Sequence, residues 1–231
     1  MNKTLFVTLF LFTVTLPQMT YAATLIESKE SNVGLQKTWI EGDRLRVTSE
    51  DGEQYMLMNF TQRTMHVVYP DKMQVMDMSN LIDSLSNDNN TRNNQVFTVE
   101  KKGKGPAVAG YQTDHYVVYH KGERCFESFT SLQAVKELDL EHFISGMNEM
   151  FPRENTPETN DNPCVNAENA LEYEKIGIPL MLIEQDGSET YSISKFEKNA
   201  PLPAGGFSIP EGFTVIDYKQ MVQQMMQPDH N

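Results

Sequence analysis

The sequence predicts an α+β fold in which a curved antiparallel β-sheet, a half-barrel, has short helices covering its concave face. Consecutive β-rich segments separated by brief turns run from Trp39 to Met78, which is typical of an antiparallel meander. Apolar residues then recur at helical spacing between Ser131 and Phe151. A further pair of strand-like segments follows residue 176. Because a sheet of this size must cover one of its faces, we expect the helices to lie against it.

The predicted meander opens with residues 39–49, which end at the turn Asp51-Gly52. Three more short strands follow, at 54–60, 64–69 and 73–78. Residues 80–94 end in the polar run SNDNNTRNN, which predicts a surface loop because it offers nothing to pack.

The second part of the sheet is predicted from shorter signals. Residues 96–101 resume as a strand, and the Gly-rich residues 103–110 predict a turn-rich link. A hairpin around Lys121-Gly122 follows, with strands at 111–119 and 124–130.

The remaining elements are two helical segments, a hairpin and a terminal helix. Ser131 is a suitable N-cap for the helical segment that runs to residue 151. Residues 166–176 predict a short helix that Gly177 and Pro179 end. A hairpin, an irregular stretch and a last short helix complete the chain, at 180–184 with 189–196, at 200–212 and at 218–226.

The first 22 residues predict export. Lys3 gives a positive start, Leu5 to Leu16 form a short apolar run, and the small-residue stretch Thr20-Tyr21-Ala22 predicts cleavage after Ala22. The apolar run is shorter than the roughly 20 residues that span a bilayer as a helix. We therefore expect a signal peptide at 1–22 and one periplasmic or secreted domain at 23–231, with a helical insertion at about 131–176 and no integral membrane segment.

Charge and cysteine content narrow the class of protein. The formal net charge is −13, which repels nucleic acid and anionic lipid headgroups, so we expect neither nucleic-acid binding nor adhesion to a membrane surface by charge. The two cysteines, Cys125 and Cys164, predict one disulfide in an exported chain. The alternative is a redox or metal-binding pair, but the sequence lacks the C-x-x-C spacing typical of such pairs. Asp43, Arg44 and Arg46 are interpreted as ion pairs on a strand surface.

Three patterns resemble a known family in the order in which they occur. They are Ile40 to Arg46 (IEGDRLR), the run Val108 to Ser131 with its VAGY and YVVY segments, and Gly177 to Leu180 (GIPL) with Phe207 to Phe213 (FSIPEGF). In these residues the chain resembles an exported bacterial family of unknown function and, more distantly, the LolA/LolB-like lipoprotein-carrier superfamily. The resemblance implies a half-barrel plugged by helices, in a space that holds acyl chains in the carriers, and it implies no catalytic residues.

Methionine is the most unusual residue in its distribution. Six of the 14 methionines fall between positions 56 and 78: Met56, Met58, Met65, Met73, Met76 and Met78. Alternation along the strands places Met56 with Met58, and Met76 with Met78, on one face. Three interpretations remain open: ordinary core, an adaptable lining for a hydrophobic ligand, and a copper site that includes His66. The expected ligand-binding residues are Met56, Met58, Phe60, Met65, Val67, Met76 and Met78.

The sequence contains no recognisable catalytic constellation. It has no G-x-S-x-G elbow and no phosphate-binding loop, and His115, His120 and His142 lack metal-ligand spacing. We therefore expect a non-enzymatic protein without cofactor or metal, which binds lipid or another hydrophobic ligand. The alternative is an exported structural or protein-interaction domain with a fully packed core, and a weaker alternative is a Met-rich copper-binding protein.

Overall fold

The computed structural model describes residues 22–82, 97–151, 164 and 167–226. The predicted signal peptide, except for its last residue, lies outside these residues. Most of the predicted Asn-rich loop also lies outside them. Within the described part of the chain, no helix is both long enough and apolar enough to cross a bilayer.

In the described residues, twelve strands form one sheet in the order β12-β6-β5-β4-β3-β2-β1-β11-β10-β9-β8-β7. The strands are β1 (Ala22–Glu30), β2 (Gly34–Glu41), β3 (Arg44–Ser49), β4 (Tyr55–Asn59), β5 (Thr64–Tyr69), β6 (Gln74–Asp77), β7 (Phe97–Val108), β8 (Tyr111–His120), β9 (Glu123–Ser131), β10 (Ile178–Glu184), β11 (Glu189–Pro201) and β12 (Thr214–Asp217). The helices are α1 (Leu132–Leu138), α2 (Glu141–Met150), α3 (Tyr173–Ile176) and α4 (Tyr218–Met226), with 3₁₀ turns at Pro70–Lys72 and Ala167–Ala170.

The predicted fold class is confirmed: the sheet is open and curved, and short helices lie against one face. Neighbouring strands are antiparallel, with the exception that β12 pairs in parallel with β6. That strand was not predicted, because its four residues follow the irregular stretch 200–212 and gain their pairing only from a distant part of the chain. The tip of the β7–β8 hairpin curls back so far that the Tyr111 and Phe196 rings pack edge to face at 5.3 Å.

The structure corrects two strand predictions and adds a strand that was not predicted. The segment 39–49 is not one strand, because the chain turns at Gly42, whose φ of 58° ends β2 before β3 begins. The central strand β1 was missed because its polar residues conceal the alternation around Leu25. The predicted link 103–110 is mostly the second half of β7, which two register shifts bend; Gly105 permits this because a Cβ there would lie 2.5 Å from the Phe129 ring.

The predicted helix 131–151 is two helices. Ser131 caps α1 as expected, since its hydroxyl accepts from the Ala134 amide at 3.2 Å. The chain then takes the left-handed conformation at Asp139, with φ 58°, and starts again as α2. This break lets both helices place apolar residues against the curved sheet.

The main core lies between these helices and the concave face. It joins Ile26, Ile40, Leu45, Met58, Phe60 and Met65 of the sheet side to Ala134, Val135, Leu138, Leu140, Ile144 and Met150 of the helical segment. Gly146 allows the closest approach, because a Cβ at that position would lie 2.6 Å from the Phe60 ring.

A second cluster surrounds the predicted disulfide, which the structure contains. Cys125 on β9 is bonded to Cys164, with 5.3 Å between their Cα atoms. The bridge holds the 3₁₀ turn Ala167–Ala170 near β8 and β9, where Ala167 and Leu171 pack on Phe126.

Residues 202–213, which we call the strap, cross the outer face of the sheet between β11 and β12. At the β11 end, Trp39 Nε1 donates to the Pro201 carbonyl at 3.2 Å, and Leu202 and Phe207 pack on a small cluster around Trp39. At the β12 end, Phe213 packs on a cluster that includes Leu57, Val68 and Val75. Both faces of the sheet are therefore covered by chain-internal packing over part of their area.

Candidate functional site

The register of β4, β5 and β6 brings the methionines together on the concave face. Met58 lies opposite Met65, and Met56 lies opposite Val67, which in turn lies opposite Met76. Met78 follows β6 and donates its amide to the Met65 carbonyl at 2.8 Å, so it continues the first of these rows. The predicted ligand-binding residues thus form a continuous apolar wall, which we call the methionine wall: Met56, Met58, Phe60, Met65, Val67, Met76 and Met78.

Helix α2 covers one end of the methionine wall more completely than the other. Met58, Phe60 and Met65 are buried in the main core, and the Phe60 and Phe143 rings contact at 5.9 Å. Met56 and Met78 are partly buried against the same core. Val67 and Met76 are half-buried and lie outside it.

His66 lies on the opposite face from the methionine wall. It stands opposite Leu57 and Asp77 in the register, and its Nε2 is 3.8 Å from the Asp77 carboxylate. The copper interpretation that combined His66 with the methionine pairs is therefore wrong in its histidine ligand. Among the described residues, no group of three or more His, Cys, Asp or Glu side chains is placed to hold a metal ion.

The clefts found on the described residues are open and have mixed polar and apolar linings. One of about 360 Å³ lies between α2 and the turns at Gly42 and Thr61, and it includes His142, Ser145 and Glu149. A second of about 330 Å³ lies beneath the strap, beside Arg44 and Phe207. A third of about 320 Å³ is acidic, with Glu30, Glu168 and Glu184 on its wall.

Arg46 is buried beneath the strap, although the sequence predicts it on the surface. It is 6% exposed and belongs to no ion pair among the described residues, which corrects the predicted surface pairing; Arg44 pairs instead with Glu41. Its Nη1 donates to the Ala204 and Gly206 carbonyls of the strap at 3.0 and 2.9 Å, and its guanidinium lies 3.9 Å from the centre of the Tyr55 ring. Burial lowers the pKa of Arg46 and raises the pKa of Tyr55. No signal in the sequence indicates this role, because the acceptors lie about 160 residues away.

The fold and these surfaces define a class of protein: an open half-barrel whose own helices lie in its concavity and whose described clefts open to solvent. No protein-family model matches the chain, and no curated protein matches it in sequence. The expected membership of an exported family of unknown function is therefore not supported.

Comparison with solved structures gives matches that share few identical residues with this chain but align with most of its length. An uncharacterized conserved protein from Thermus thermophilus is 8% identical, with a TM-score of 0.42 over 86% of this chain and 91% of that one. MucB is 12% identical, with a TM-score of 0.40 over 86% of this chain. The MucA/MucB complex of Pseudomonas aeruginosa gives 10% identity and a TM-score of 0.39 over 85% of this chain. The chain spans 60% of the MucB chain.

Proposed function

We propose that this protein is an exported, non-enzymatic binding domain that acts through contacts with another protein. The observation that supports this best is the filling of the concave face. Ala134, Leu140 and Met150 from the α1–α2 segment are fully buried against the sheet, so most of the space that a half-barrel offers to a ligand is occupied by side chains of the chain itself.

Surface clefts are what remains for recognition. The cleft beside α2 combines the Phe60 ring with hydroxyl, imidazole and carboxylate groups, so an apolar group is surrounded by a polar rim, as in many protein–protein interfaces. Arg63 stabilises its rim, because it donates from the β4–β5 turn to the Glu149 carbonyl at 3.0 Å. The bridged cysteines favour an oxidising compartment, which agrees with a periplasmic or secreted protein.

The experiment is cross-linking in the native host followed by mass spectrometry, with charge reversal on the cleft. We expect Glu149→Lys to reduce recovery of a specific cross-linked protein about tenfold, since a rim charge contributes complementarity. Glu211→Lys, on the exposed strap, is the matched control and should recover the partner at the wild-type level. Equal recovery with both variants, or no reproducible partner, would contradict the proposal.

A second candidate function is hydrophobic-ligand binding on the methionine wall. The specific observation is its uncovered end, where Val67 and Met76 are half-buried and stand beside the flexible Met56 side chain. Under this proposal a fatty chain or a similar apolar molecule contacts the uncovered end of the seven-residue methionine wall, at β5 and β6. The buried residues Met58, Phe60 and Met65 support that surface from the core.

A fluorescent fatty-acid probe tests the second candidate. We expect saturable binding that Val67→Lys weakens about tenfold or more, because a charge would enter the apolar contact. Val99→Lys is the control, because Val99 on β7 is 38% exposed and lies away from the methionine wall. Absence of saturation in the folded wild-type protein would remove this candidate and leave the interaction function.

A further inference from the structure

Among the described residues, six methionines belong to or pack against the main core, two more than the two strand pairs that the sequence indicates. Met58, Met65 and Met150 are buried there, and three others are partly buried against it: Met56, Met78 and Met147. They come from β4, from β5, from the residue that follows β6 and from α2, so only the folded chain brings them together.

Three of these side chains form a row across the sheet. Met58 and Met65 are directly opposed on β4 and β5, and the amide of Met78 is bonded to the Met65 carbonyl. Directly opposed side chains on neighbouring strands have Cβ atoms about 4.5–5.5 Å apart. Met65, the central residue of the row, therefore has a methionine side chain within reach on each side.

Thioethers in this setting suit one class of ligand. They are soft and neutral, so they favour Cu(I) and its analogue Ag(I) over Zn²⁺, Mg²⁺ or Ca²⁺. A monovalent ion also costs less to bring into an apolar environment than a divalent one.

No thiolate on the described residues competes with these groups, since the two cysteines of the sequence are bonded to each other. His66 does not interfere, because it lies on the other face. Half-buried Met78 gives the row a route from solvent.

We propose that Met58, Met65 and Met78 form a binding site for a soft monovalent metal ion, Cu(I), with thioethers of α2 on its opposite side. The proposal is independent of the protein-interaction function and uses no histidine ligand.

Ag(I) is the first probe, because it needs no reductant and leaves the disulfide intact. Titration of the folded protein should show about one bound ion per chain, followed by competition for Cu(I) with a chromogenic chelator under anaerobic conditions. In spectra of methyl-labelled methionine, the resonances of Met58, Met65 and Met78 should shift together on addition of Ag(I).

Met65→Leu should weaken Ag(I) binding about tenfold or more, since the swap removes the central sulfur but conserves side-chain volume, so that the variant still folds. Met73→Leu is the matched control, because Met73 is 55% exposed and lies outside the core. Equal affinity of the two variants, unchanged resonances of Met58, Met65 and Met78, or absence of binding by the wild-type protein would overturn the proposal.

Discussion

Arg46 couples two parts of the chain through a single buried charge. Its guanidinium is held between the Tyr55 ring and two strap carbonyls, with hydrogen bonds of 2.9 and 3.0 Å. A charge-assisted hydrogen bond and a desolvated cation–π contact are each stronger than their exposed counterparts. The strap is therefore fixed at its centre by a residue of β3 and at its ends by apolar packing.

Replacement of Arg46 by alanine should loosen the strap. We expect Arg46→Ala to lower the free energy of unfolding by about 2–3 kcal/mol, because two carbonyls lose a charged donor and Tyr55 loses its packing partner. Urea unfolding measures this, with Lys198→Ala on the exposed part of β11 as the control. A change of less than about 0.5 kcal/mol, the range of ordinary surface substitutions, would show that the strap does not depend on Arg46.

Tyr191 on β11 predicts how the protein responds to alkaline conditions. Burial raises its pKa from 10.0 to about 12. The unfolded chain therefore releases this proton at lower pH than the folded chain does. The stability contributed by the neutral phenol is complete below about pH 10 and is lost as the pH rises towards about 12.

The measurement is urea unfolding between about pH 8 and pH 11. The wild-type midpoint should fall above about pH 10, and Tyr191→Phe should fall less steeply because it has no phenol at that position. Tyr218→Phe, at the start of α4, is the control and should follow the wild-type curve. Parallel curves for Tyr191→Phe and the wild type would contradict the assignment.

Helix α2 owes its position to a small residue facing a large one. Gly146 lies on the buried side of α2, directly over Phe60 at the end of β4. In an exposed helix, Gly→Ala would gain up to about 1 kcal/mol of helix propensity. Here the new methyl group would lie 2.6 Å from the Phe60 ring, so overpacking outweighs propensity.

We expect Gly146→Ala to destabilise the protein by about 1–3 kcal/mol. Phe60→Leu should cost stability by itself, and the double variant should be more stable than the sum of the two changes predicts, because the smaller side chain removes the clash. Thermal unfolding of the four proteins gives the coupling. Strict additivity would mean that α2 does not contact Phe60 as described.

The whole molecule is held together by links between residues far apart in the sequence. The disulfide joins positions 39 residues apart, and the strap returns the C-terminal part of the chain to β6. The sheet order places the early strands β1 to β6 on one side and β7 to β10 on the other, with β11 between them. The two halves meet where β1 pairs with β11, and these two strands lie far apart in the sequence.

Loss of the disulfide should destabilise the entire domain. We expect the paired substitution Cys125→Ala with Cys164→Ala to lower the free energy of unfolding by about 3–4 kcal/mol, through the greater entropy of the unfolded chain. Urea unfolding with and without reductant measures the effect. The paired variant should be insensitive to reductant, whereas the wild type should approach it after reduction; an unchanged wild type under full reduction would contradict this.

Local sequence patterns predicted several features of this fold. Alternation predicted that Met56 and Met58 share a face, the Ser131 cap set the start of α1, and the even cysteine count indicated the bridge. These features depend on neighbours in sequence or on chemistry that a residue carries wherever it stands.

Tertiary structure decided what depends on distant partners. Polar β1 became a central strand because β2 and β11 pair with it, Thr214–Asp217 became a strand because β6 offered an edge, and Arg46 became buried because the strap covers it. His66 lies on the opposite face from Met65, because successive side chains of a strand point to opposite faces. Sequence pattern fixes which residues can share a face, whereas long-range pairing fixes what lies on that face.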